Sequence, residues 1–108
     1  MLRKLLPACV AGLLAVSLMS GFQKGGDAAK GKEVFEQCGV CHNADSTEKK
    51  MGPGLKGLFK KGKLTNGKPV NEANVKAVIN AGGNGMPSYE SILSDEEKAH
   101  VIAYLKTL

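Results

Sequence analysis

The chain has no tryptophan and only five other aromatic side chains, three Phe and two Tyr, among its 108 residues. That leaves little ring area to build a core. Histidine is scarce as well, with two residues, and one of the three cysteines, Cys9, falls in an apolar amino-terminal stretch. Beyond that stretch Cys38, Cys41, His42 and His100 are the whole supply of Cys and His, which leaves few candidates for a tetrahedral zinc site and its four ligands. No run of residues reads as a sheet-forming strand, so a thioredoxin-like redox pair on an alternating βαβ chain is excluded. No internal repeat is visible. Basic residues are not interleaved with aromatics and no recognition helix stands out, which argues against nucleic-acid binding.

What is present is the string Cys38-Gly39-Val40-Cys41-His42. Cys-x-x-Cys-His is the attachment sequence of a c-type haem. Two thiols at this spacing can each add across one vinyl group on the same edge of a porphyrin. The histidine that follows is then held under the ring, where its imidazole can bind the iron. The residues before the motif are helix-like and those after it form a Gly-rich loop, unlike the setting of a thioredoxin or zinc pair. The sequence therefore predicts one covalently held haem c.

A single domain of about residues 26–108 follows an amino-terminal segment, residues 1–25, of a different kind. Arg3 and Lys4 precede an apolar run from Leu5 to Met19, the layout of a secretory signal peptide. The same run, extended to Phe22, just reaches the length of a membrane anchor. Either way the basic head stays inside and the domain is delivered outside, to the periplasm or the outer face of the cytoplasmic membrane. A domain this small has a marginal core of its own. An apolar disc in its middle would supply the missing interior, so the chain without haem is expected to fold poorly.

Three helices joined by long loops are predicted. Asp27 can cap a first helix running from Ala28 to about Cys38, with Gly31, Val34, Phe35 and Cys38 on one apolar face. Gly31 disfavours a helix, so its place on that face points to close approach by another helix. A middle helix starts near Asn71 or Glu72, carries Val75, Val78 and Ile79, and stops at Gly82-Gly83. Ser94 and Glu97 form a capping box for a last helix with Val101, Ile102, Tyr104 and Leu105. Asn66-Gly67 marks a tight turn between the first two.

A second iron ligand has to come from the far side of the ring. Met86, in Gly85-Met86-Pro87-Ser88-Tyr89, is the foremost candidate, because a thioether is a soft ligand and enough chain separates it from His42 to cross the haem. Met51, His100 or an open position are the alternatives.

With these residues in place the chain resembles the class I c-type cytochromes, small bacterial monohaem carriers. The resemblance runs from Asp27-Ala-Ala-Lys-Gly-Lys-Glu-Val-Phe35 to Val101-Ile-Ala-Tyr-Leu105. It includes Met51-Gly52-Pro53-Gly54-Leu55-Lys56-Gly57-Leu58 and Gly85-Met86-Pro87. It implies an all-α, cytochrome c-like fold wrapped around one covalent haem. It also implies Cys38 and Cys41 as attachment points, His42 and Met86 as iron ligands, and the Pro53 carbonyl as acceptor for His42. Gly31 and Phe35 against Tyr104 would lock the first and last helices. Two features depart from the family: no indole is present to serve the haem propionates, and residues 60–69 lack a clear match to the mitochondrial form.

The formal charge is +5, of which Arg3 and Lys4 supply two. Lys49, Lys50, Lys56, Lys60, Lys61, Lys63 and Lys68 crowd one stretch, a pattern that would steer an acidic redox partner. The expected protein is a monomeric one-electron carrier between larger redox complexes, not an enzyme. A peroxidase-like or gas-binding haem protein, with a displaceable distal ligand, is the alternative.

Overall fold

The computed structural model describes residues 25–108. The expected signal or anchor segment, apart from Gly25, lies outside the described residues. Three α-helices carry the domain: α1 (Ala28–Val34), α2 (Glu72–Ala81) and α3 (Asp95–Leu105). Short 3-10 turns follow α1 at Phe35–Gln37 and interrupt the long loop at Leu58–Lys60. Among the described residues there are no strands, only isolated bridges at Lys63–Pro69 and Gly83–Met86. No helix among them is long and apolar enough to cross a membrane.

Each helix starts where a side chain satisfies its free N–H groups. Asp27 accepts from Ala29 and Lys30, and Asn71 accepts from Asn74. Ser94 and Glu97 complete a reciprocal capping box, with Asp95 and Glu96 adding negative charge to the first turn. The first helix ends sooner than its apolar spacing predicts. After Val34 the chain tightens into a 3-10 turn, and Cys38 and Gly39 both donate to the Phe35 carbonyl, at 2.7 and 2.9 Å. This tightening leads directly into the cysteine turn.

The main helix contact is α1 against α3. A Cβ at Gly31 would collide with the His100 carbonyl and the Tyr104 Cβ, so only glycine permits the crossing. Phe35 packs beside Tyr104 with ring centroids 5.3 Å apart. The Asp27 N–H donates to His100 Nδ1 at 2.8 Å, pinning the start of α1 to the middle of α3. Phe35, Leu58, Val75, Ile79, Leu93, Val101, Ile102 and Leu105 form the buried core, with α2 contributing Val75 and Ile79. Between α1 and α2, Asn66-Gly67 forms the expected turn. Gly67 has φ +84°, and Leu64 donates to the Lys68 carbonyl at 2.8 Å.

Candidate functional site

The turn after α1 folds back on the Cys38 carbonyl, which accepts from Cys41 and His42 at 3.1 and 3.0 Å. One turn of chain thus displays both cysteines and the histidine. The two thiols are free and half-buried. Burial pushes the Cys38 thiol above its ordinary range, and neighbouring Cys41 adds to the effect.

His42 is oriented by the loop that follows. Its Nδ1 lies 2.8 Å from the Pro53 carbonyl oxygen. A carbonyl can only accept, so the ring proton sits on Nδ1 and the Nε2 lone pair is left for a metal. Gly52 lies flat against the same ring: a Cβ there would stand 2.5 Å from Cε1 and 2.9 Å from Nδ1. The backbone holds this segment in place. Gly52 N–H donates to the Cys41 carbonyl and Leu55 N–H to the Asn43 carbonyl, both at 2.8 Å. Lys50 reaches across to donate to the Gly39 carbonyl at 2.9 Å.

Met86 arrives from a separate loop. After α2, residues 82–85 all have positive φ, at +65°, +117°, +54° and +90°. Gly83 and Met86 exchange both backbone hydrogen bonds, at 2.9 and 3.0 Å, around Asn84-Gly85. Such a tight turn demands left-handed residues at both corners, which Asn and Gly tolerate best. Met86 leaves the turn half-buried and packs on the core. Beyond it, Ser88 Oγ donates to the Asn80 carbonyl at 2.5 Å and Tyr89 N–H to the Ile79 carbonyl at 2.9 Å. Burial raises the Tyr89 hydroxyl pKa, and the charges of Cys38 and Cys41 add to the shift.

Cys38, Cys41, His42 and Pro53 thus form one cluster, and Met86, like Cys38, packs against the hydrophobic core. The other candidate ligands are engaged elsewhere or lie outside. His100 Nδ1 is taken by the Asp27 N–H. Met51 is 79% exposed and sits on the proximal loop, its Sδ 3.7 Å from the Cys41 thiol. Sequence reasoning missed Gly52 as the floor under the imidazole, Lys50 as a brace on the cysteine turn, and the Asn84-Gly85 corner. Of these, only the Asn-Gly pair carried a readable local signature.

The residues fit a c-type haem. Two neighbouring thiols are free, an imidazole has its tautomer set with Nε2 available, and a half-buried thioether comes from a separate loop.

The comparisons agree. The family model described as Cytochrome c matches residues 28–108. A cytochrome c2 from Blastochloris viridis is 53% identical over 34 residues, 31% of this chain and 27% of that protein, so the match spans about a quarter of the relative's length. Among solved structures, cytochrome c6 from the diatom Phaeodactylum tricornutum superposes with a TM-score of 0.59 at 29% identity, covering 76% of this chain and 93% of that one. Cytochrome cH from Methylobacterium extorquens gives 0.55 at 29% identity, covering 77% and 100%. The helical fold, the attachment turn and the match over residues 28–108 together place this chain in the cytochrome c family, whose haem c is covalently attached.

Proposed function

We propose that the protein carries one electron at a time through a haem with His42 and Met86 as axial ligands, and transforms no substrate. The observation that carries this reading is the 2.8 Å contact between His42 Nδ1 and the Pro53 carbonyl, which leaves Nε2 as the free donor atom. The bound haem supplies reversible one-electron exchange at its iron. The chain's residues do the rest. Cys38 and Cys41 hold the ring edge through thioethers. Pro53 keeps the His42 imidazole in one tautomer and raises its basicity, which favours ferric iron. The Met86 thioether favours ferrous iron. If His42 and Met86 both held the iron, no vacant position would be left for chemistry, as a carrier requires.

The chain works as a monomer on the outward side of the cytoplasmic membrane, in the periplasm of a respiratory or similar redox chain, delivered there by residues 1–25. Larger redox complexes are its donor and acceptor, and the exposed lysines between Lys49 and Lys68 favour an acidic docking face.

Optical spectra of the matured ferric and ferrous protein, with and without carbon monoxide, test the ligation. A ferric sulfur-to-iron charge-transfer band that disappears in Met86→Ala, with no carbon monoxide uptake by the unsubstituted protein, is expected. A high-spin spectrum with ready carbon monoxide binding would overturn the reading in favour of a ligand-binding haem protein.

A further inference from the structure

Lys98 is the one charged residue buried among the described residues, with 4% of its surface exposed. It lies in the first half of α3, whose core side chains include Val101, Ile102 and Leu105. A buried ammonium group is costly unless it is well partnered, and a methionine or leucine would fill the same space without that cost. What an apolar side chain could not do is grip a carbonyl. The Lys98 Nζ donates to the Glu90 carbonyl at 3.1 Å, four residues beyond Met86. Its ion pair with Asp95 is loose, at 3.9 Å, and Asp95 is 85% exposed and also faces Lys76 at 3.7 Å.

The loop that carries Met86 is held unequally at its two ends. At the start, Gly83, Asn84 and Gly85 are exposed, and a Cβ built at Gly83 or Gly85 would meet nothing within 4 Å. That end is held by backbone alone: Gly82 packs against the Met86 and Pro87 carbonyls, and Gly83 and Met86 exchange two hydrogen bonds. At the other end, Ser88 and Tyr89 tie the loop to α2, Ile92 and Leu93 fold back on the Tyr89 carbonyl, and Leu93 is buried. The Lys98 side chain adds a hydrogen bond from α3, beside the packing of Leu93 in the core.

We infer that Lys98 is a positioning residue that clamps the Met86 loop to α3 and so resists displacement of the Met86 thioether by outside ligands. The inference rests on Met86 as the distal ligand. An incoming ligand can take the distal position only if the loop swings out about its glycine-rich start. The Lys98–Glu90 bond is one of the contacts that must break.

The test is an imidazole titration of the ferric holoprotein, followed by loss of the sulfur-to-iron band, together with amide hydrogen exchange at residues 89–93. Lys98→Met keeps the chain length and removes the grip. Val101→Ala, in the same helix at a position 1% exposed, is the control for a merely structural loss. Lys98→Met is expected to bind imidazole about tenfold more tightly, the loss of one charged hydrogen bond, and to exchange its 89–93 amides faster. Val101→Ala should leave imidazole affinity near the parent value although it lowers overall stability. Unchanged affinity in Lys98→Met, or an equal rise in Val101→Ala, would overturn the clamp. Should Lys98→Met not accumulate with haem, Lys98→Leu, which also lacks a donor, is read against the same outcomes. If the band survives in Met86→Ala the ligation reading fails, and unaltered exchange at residues 89–93 in Lys98→Met would then overturn the clamp on its own.

Discussion

At the scale of single residues, Gly52 shows how a site can depend on an atom that is missing. The imidazole of His42 keeps its orientation because nothing projects from position 52 into its face. Gly52→Ala would place a methyl 2.5 Å from Cε1, so the ring must tilt or the loop must lift, and either lengthens the bond to Pro53. A weaker Nδ1 bond makes the imidazole a poorer donor and favours ferrous iron. The expected result is a reduction potential raised by up to about 60 mV, a tenfold shift for a one-electron couple, read by potentiometric titration. An unchanged or lowered potential would mean the loop absorbs the methyl without moving the ring. The Cys38-to-His42 string was legible because its chemistry is written in consecutive residues. The role of Gly52 was not, because the face it covers belongs to a residue ten positions back, brought there by the Gly52–Cys41 and Leu55–Asn43 backbone bonds.

The helices were legible at their starts and less so at their ends. Asp27, Asn71 and Ser94 announce themselves because a cap is a local bond, closed within two or three residues. The apolar face of α1 runs on to Cys38 in sequence, but the regular helix gives out at Val34, where the 3-10 turn begins to steer the chain into the cysteine turn. Gly31 was legible as a contact point, but the partner atom, the His100 carbonyl, was not. His100 itself read as a surface residue or a spare ligand. Its actual bond joins residues 73 positions apart, beyond the reach of any spacing rule. In an exposed helix Gly→Ala adds about 1 kcal/mol of stability. At Gly31 the sign reverses, since the methyl drives α1 off α3. Gly31→Ala should destabilise the holoprotein by about 2 kcal/mol, measured as a lowered denaturant midpoint. A stabilised variant would show that the helices can part without penalty.

Taken whole, the molecule is lopsided in charge. Lys49, Lys50, Lys56, Lys60, Lys61, Lys63 and Lys68 are all exposed in the stretch that follows the attachment turn. Val40 and Met51, at 72% and 79% exposure, belong to the turn and the start of that stretch. If an acidic partner docks there, the second-order electron-transfer rate with an anionic redox partner should fall several-fold between about 10 mM and 150 mM salt, as the screening length shortens from roughly 30 to 8 Å. Stopped-flow kinetics over that range would read it. A flat profile would leave the lysines as a solvated face only.

The clasp of α1 on α3 has a consequence for how the chain comes to exist at all. Joining Asp27 to His100 closes a loop of 73 residues, at an entropic cost on the order of 4 kcal/mol before any contact repays it. Folding therefore cannot be completed by stacking sequence neighbours alone, because the clasp joins the two ends of the domain. A nick or truncation that frees α3 would not trim one element. It would uncover Gly31 and Phe35 and release the Met86 loop from Lys98 together.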